Sequence, residues 1–244
     1  MPMAITGSIM ENTGAIMPIS RRLPAAIFGF SIGAILITMG VPRLIAAYLS
    51  LPGDIAIFGL REDRTILPQE LVEGATALDE ANAWEMTGAR EADRSVLLLV
   101  QAESLPRGDQ ARDAILAKAM AATEQSLALL PAQPVAWGNL AALKVEAGDM
   151  QGAVKAIRLS MLSGPVVPGY VPVRVKLGLH LLPYMDRETR GLLARQVRLL
   201  WLIEPASLVD LGKQADTQDF IRSALDGLSE RDQEIFIQRL SPIQ

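Results

Sequence analysis

Leu23–Pro42 reads LPAAIFGFSIGAILITMGVP, 20 residues without a single charge. As a helix rising ~1.5 Å per residue, it is long enough to cross the ~30 Å hydrocarbon core of a bilayer. This stretch orders the rest of the 244-residue chain. Before it lies a short polar, Gly- and Met-containing tail; after it lies enough chain for one domain with a sizeable core. The division expected is a disordered cytoplasmic tail over 1–22, a transmembrane helix over 23–47, a connector over 48–67 and an α-helical domain over 68–244.

The flanks of the run set its expected orientation. Arg21 and Arg22 precede it directly, and only Arg43 follows closely. Basic residues stay on the cytoplasmic side, which sends the long C-terminal part across the membrane. The localisation expected is a single-pass protein of a bacterial inner membrane, N-terminus cytoplasmic and C-terminal domain periplasmic. An uncleaved anchor fits better than a cleavable signal, whose apolar region is ~7–15 residues; Ile45-Ala46-Ala47-Tyr48 also lacks a clean cleavage site. Ser20-Arg21-Arg22 faintly resembles a twin-arginine signal, but Leu23-Pro24-Ala25 does not continue it. Gly29 and Gly33 have the small-xxx-small spacing that lets two membrane helices approach, with Ser31 and Thr38 able to bond across such a contact. Gly is also simply common in membrane helices. Pro42 and Arg43 mark the far interface, and Tyr48 sits where an interfacial aromatic belongs. Pro52-Gly53-Asp54 break the next apolar stretch, so Leu44–Leu60 reads as a juxtamembrane connector.

Composition narrows the function classes. Half the residues are hydrophobic but only 5% are aromatic; Ala and Leu dominate, which favours helix over sheet. Net charge is −4. Glu11, Arg21, Arg22 and Arg43 are the only charges up to Ala47, so the remainder carries −6. A domain of that sign is a poor general binder of nucleic acid. With no cysteine, disulfides, thiol catalysis, iron–sulfur clusters and Cys-based zinc sites are excluded. One histidine, His180, excludes a multi-His metal site within one chain.

Helix signals follow in order. Pro68-Gln69-Glu70 starts a helix carrying Leu71, Ala75, Leu78 and Ala81 at helical spacing. A second runs from Arg90 to Glu103. After the Pro106–Asp109 turn, Asp109 caps a third that continues to Leu130, where Pro131 stops it. Tyr170–Leu182 and Asp186–Ile203 form a further helix–turn–helix. Ser207–Gln214, Gln218–Leu228 and Glu230–Leu240 are short helices, the last capped by Ser229.

Between these lies Pro134-Val135-Ala136-Trp137-Gly138-Asn139-Leu140-Ala141, continuing through Gly148-Asp149 and Ala153 to Pro165. Trp137, Leu140, Ala141, Gly148, Ala153, Ile157, Ser160 and Pro165 fall on the offsets of a tetratricopeptide repeat, which this stretch resembles. Lys144 departs from the large apolar residue expected there. Pro131, Ser126 and Ala119 repeat the pattern about 34 residues upstream, but only in the second helix; Glu103 falls where Trp belongs. The fold expected is all-α, one transmembrane helix followed by a tetratricopeptide-like helical-hairpin solenoid. The resemblance implies a concave, helix-lined groove for a peptide or protein.

No residue pattern carries chemistry. There is no phosphate-binding Gly-rich loop and no Gly-x-Ser-x-Gly. His180 lies in an apolar helical run and reads as a packed or half-buried histidine. Glu62/Asp63, Asp79/Glu80 and Glu91/Asp93 read as solvated carboxylates. A basic run from Arg174 to Arg198 contains Arg187, Arg190, Arg195 and Arg198 on one side of a helix, a candidate anion-binding stripe. The function expected is a non-enzymatic, membrane-anchored interaction or assembly protein, accessory to an envelope or inner-membrane complex. Protein partners, the bilayer through 23–47, no cofactor, no metal and no nucleic acid go with it. The alternative is a subunit binding a glycan or lipid-linked intermediate of an envelope polysaccharide pathway through the basic stripe.

Overall fold

The protein is described from a computed structural model covering residues 19–62, 64–226 and 228–240. Among the described residues there are twelve α-helices, two 3₁₀ turns and no strand; the protein is all-α. The expected disorder of the tail falls mainly on residues 1–18, outside the described residues. The chain divides into two compact units, one ending at Leu44 and one beginning at Ile45.

The first unit is most of α1 (Ile19–Leu49). This helix starts before Leu23 and runs through Pro42, which was expected to mark the far interface, to Leu49, two residues past the expected end at 47. A proline removes one i−4 hydrogen bond without stopping a helix that its neighbours sustain. The stretch Ala26–Leu49 is long and apolar enough to cross a membrane, and only 6% of its most apolar window is buried. A helix of the soluble core would be covered. Ser31 Oγ donates to Ile27 O at 2.8 Å and Thr38 Oγ1 to Ala34 O at 3.0 Å. Both hydroxyls are therefore satisfied within their own helix, as an apolar medium demands. Gly29 and Gly33 face open space.

The second unit is a series of antiparallel hairpins. The expected connector is instead a helix, α2 (Leu51–Arg61), with Pro52 in its first turn, where proline is well tolerated. It packs on α3 (Pro68–Trp84) through glycine: a Cβ on Gly53 would meet Leu78 Cγ at 2.4 Å and Gly74 O at 2.9 Å. The next hairpins are α4 (Gly88–Glu103) with α5 (Gln110–Leu129), and α6 (Pro134–Glu146) with α7 (Met150–Ser163). Then come α8 (Val171–Leu181), flanked by 3₁₀ turns at Pro168–Tyr170 and Leu182–Tyr184, and α9 (Arg187–Ile203). Three short helices, α10 (Pro205–Gly212), α11 (Ala215–Leu225) and α12 (Glu230–Leu240), close the C-terminal end against α9 and each other. Phe236 meets Trp201 edge-on, ring centroids 5.8 Å apart.

The helix starts obey local chemistry. Asp109, Asp149 and Asp186 each accept a hydrogen bond from a first-turn N–H, of Ala111, Gly152 and Thr189, at 2.7–2.8 Å. Gly148, at φ +78°, makes the left-handed turn between α6 and α7 at no steric cost. The core runs from Ile57, Leu71, Leu78 and Leu97 at one end to Leu193, Leu200, Leu208 and Ile221 at the other.

One contact recurs between hairpins. Ser126 Oγ on α5 donates to Gly88 O, the first residue of α4, at 2.7 Å. Ser160 Oγ on α7 donates to Pro134 O, the first residue of α6, at 2.5 Å. The serines are 34 residues apart but the helix starts are 46 apart, because the α4–α5 hairpin is longer at its loop end. Glu91, not Glu103, thus corresponds to Trp137.

Candidate docking groove

A cleft of about 470 Å³ opens between α2, α4 and α6, the first helices of three consecutive hairpins. Ala89 and Ala92 on α4 and Ala136 on α6 keep the floor low, and Ile57, Leu60, Val96 and Val135 make its apolar walls. Four polar side chains stand in it: Arg61, Asp93, Gln133 and Asn139. Arg61 Nη2 lies 3.4 Å from Asp93 Oδ1. Burial pushes the Asp93 carboxyl above its ordinary range, opposed by Arg61 and reinforced by Asp54. Gln133 Nε2 donates to Ser126 Oγ at 3.3 Å. Asn139 Oδ1 accepts from the Tyr170 hydroxyl at 2.9 Å, which leaves its amide N–H groups for a ligand or water. An apolar floor with a few oriented polar groups is the usual chemistry of a binding site.

The residues of the 134–165 pattern build the frame behind this cleft. Leu140, Ala141, Ala153, Ile157 and Ser160 are buried. Trp137 is half-buried, its indole N–H donating to Pro131 O at 2.8 Å. Lys144, the departure from the pattern, reaches Asp149 at 3.3 Å. Pro165 follows α7 and its carbonyl accepts from Gln196 Nε2 at 2.8 Å.

The basic run is not one surface. Arg174 is fully buried and has no acidic partner among the described residues. Its guanidinium donates to Ser160 Oγ (2.9 Å), Ser160 O (2.7 Å) and Gly164 O (2.8 Å), and so caps the C-terminal end of α7. Tyr170 lies under it, ring centroid 5.6 Å from the guanidinium carbon. Burial pushes the Tyr170 phenol up to about 12. On α9, Arg190 donates to Leu182 O at 3.2 Å and Arg198 to Ala224 O at 2.8 Å. These two tie α9 to the ends of neighbouring helices; Arg198 is half-buried, and Arg187, Arg190 and Arg195 are exposed.

Two further expectations are corrected. His180 is exposed, not packed, because α8 buries Val171, Arg174, Val175, Gly178 and Leu179 on the other side. It lines a separate cleft with Arg107, Glu146, Lys176 and Asp216. Glu91 is buried, not solvated; it accepts from Asn82 Nδ2 at 2.8 Å and pairs with Arg94 at 3.3 Å. Among the described residues, no group of three or more His, Asp or Glu side chains is placed to hold a metal ion.

Fold and groove together define an all-α protein that carries an N-terminal helix long and apolar enough to cross a membrane. No protein-family model matches the chain, and no curated protein sequence matches it.

Proposed function

We propose that the chain is a membrane-anchored, non-enzymatic interaction protein. Its tetratricopeptide-like domain receives a segment of a protein partner in the groove between α2, α4 and α6. The observation that carries this reading is the cleft itself: first helices of successive hairpins line it, with an apolar floor and the hydrogen-bonding groups of Arg61, Asp93, Gln133 and Asn139. The paired Ser126–Gly88 and Ser160–Pro134 contacts support the tetratricopeptide likeness, since each fixes a second helix to the start of its first. The arginine pair before the apolar run supports a cytoplasmic N-terminus and a periplasmic domain, accessory to a complex of a bacterial inner membrane or envelope.

Purification of the full-length protein in mild detergent tests this. The expected result is a stoichiometric companion that Ala92→Arg removes, by filling the cleft floor, and that Arg187→Glu/Arg195→Glu leaves in place. A companion that survives Ala92→Arg overturns the groove reading. Loss of a bound glycan or lipid intermediate in the double charge reversal favours the alternative.

A further inference from the structure

The helix α2 has two faces of unlike fate. Gly53, Ala56, Ile57 and Gly59 are buried, and it packs against α3. On the opposite side Leu51, Ile55 and Phe58 are 49%, 62% and 65% exposed, and Tyr48, in the last turn of α1, is 73% exposed. Spacings of three, four and three residues put these four on one helical stripe. The stripe is unbroken, because the backbone stays helical through Ser50, with Ser50 N bonded to Ala46 O and Asp54 N to Ser50 O, both at 2.9 Å. The outer face of α5, by contrast, exposes Asp113, Lys118, Glu124, Gln125 and alanines, with Leu129 the large apolar side chain exposed at its end.

Chain connectivity names the cover. The stretch long and apolar enough to cross a membrane ends at Leu49. At ~1.5 Å per helical residue, Phe58 lies within about 14 Å of that point along the chain. A surface helix buries its apolar face about 5–10 Å into the headgroup–acyl boundary, and tyrosine and phenylalanine suit that depth. Asp54, at the edge of the stripe, is held by Ser50 Oγ at 2.8 Å. Glu62, just past the helix end, takes the angular position of the stripe and is exposed, so the apolar face stops there.

We propose that Tyr48, Leu51, Ile55 and Phe58 of this chain rest in the lipid interface of the membrane that α1 enters. The inference rests on the membrane-crossing reading of α1. It gives α2 two partners: lipid for the stripe of Leu51, Ile55 and Phe58, and α3 for the opposite face, with Ile57 and Leu60 turned to the groove.

The chain has no cysteine, so single spin labels report one position each. Full-length protein carrying Leu36→Cys, Ile55→Cys, Phe58→Cys or Glu80→Cys is labelled and reconstituted into phosphatidylethanolamine–phosphatidylglycerol vesicles. These side chains are exposed, so the substitutions spare the core. The labels at 55 and 58 are expected to lose collisions with an aqueous nickel chelate and gain them with oxygen, as at 36 and opposite to 80. An immersed label at 36 with aqueous labels at 55 and 58 overturns this inference alone. An aqueous label at 36 overturns the membrane reading and this inference with it. Dipolar broadening between labels at 58 that vanishes on dilution with unlabelled protein assigns the face to a second copy, and also overturns it.

Discussion

At the scale of single residues, Arg174 is the most consequential side chain that charge counting misplaces. An arginine in a basic run reads as solvated, because its usual partners are acids or water. Here the acceptors are Ser160 O and Gly164 O at the end of a helix, and no sequence pattern advertises orphan carbonyls. Removing the guanidinium leaves them buried and unsatisfied. Arg174→Met keeps much of the volume and should still destabilise the domain by about 3 kcal/mol, the loss expected for charged hydrogen bonds in a covered site. Arg174→Lys, with one compact donor group, should recover less than half of that. Urea titration of the full-length protein in micelles checks both; a Met variant as stable as the wild type would mean that the carbonyls find other donors.

At the scale of elements, the helices most legible in sequence are those with a local start signal. Asp109, Asp149 and Asp186 cap helices where an acid precedes an apolar period, and each does so by a hydrogen bond to a nearby N–H. The element missed is α2. Pro52-Gly53 reads as a break, yet the proline occupies the first turn and the glycine permits close approach to Gly74. That role depends on a residue 21 positions away and cannot be read locally. The α4–α5 hairpin is obscured for a related reason: its longer loop end shifts the first helix out of the 34-residue register, so the counterpart of Trp137 is hidden at Glu91. The groove is less legible still, since Ile57, Asp93 and Asn139 converge only once three hairpins stack. Gly53→Leu should lift α2 from α3 at a cost of about 1–3 kcal/mol, the range for overpacking. Hydrogen exchange should quicken across Leu51–Arg61 and stay unchanged in α9; uniform quickening would show that α2 is part of a single cooperative unit with the rest.

At the scale of the whole molecule, the cap carboxylates give the fold a shared response to acid. Backbone N–H donors, first among the causes, hold Glu70, Asp149 and Asp186 below the ordinary carboxylate range, and the Ser229 hydroxyl does so for Asp232. Lys144 and Arg158 add to this at Asp149 and Asp186. A carboxyl depressed in the native state contributes stability that is present above its unfolded pKa and lost as pH falls through the native one. Asp93, raised by burial, works in the opposite sense: its contribution is present at low pH and lost as pH rises. Four lowered groups at helix starts oppose one raised group in the groove, so stability should fall as the pH drops below about 4, where carboxyls protonate. Asp149→Asn/Asp186→Asn retains an oxygen for the Gly152 and Thr189 N–H groups and removes both charges. Its thermal midpoint should therefore decline less than the wild type's between about pH 4 and pH 2, although at neutral pH it lies lower for want of the ionic contacts. Parallel declines in the two proteins would exclude these caps as the source of acid sensitivity and move it to Glu70, Asp232 and the ion pairs that join neighbouring helices, Arg112–Glu146 and Arg158–Glu188.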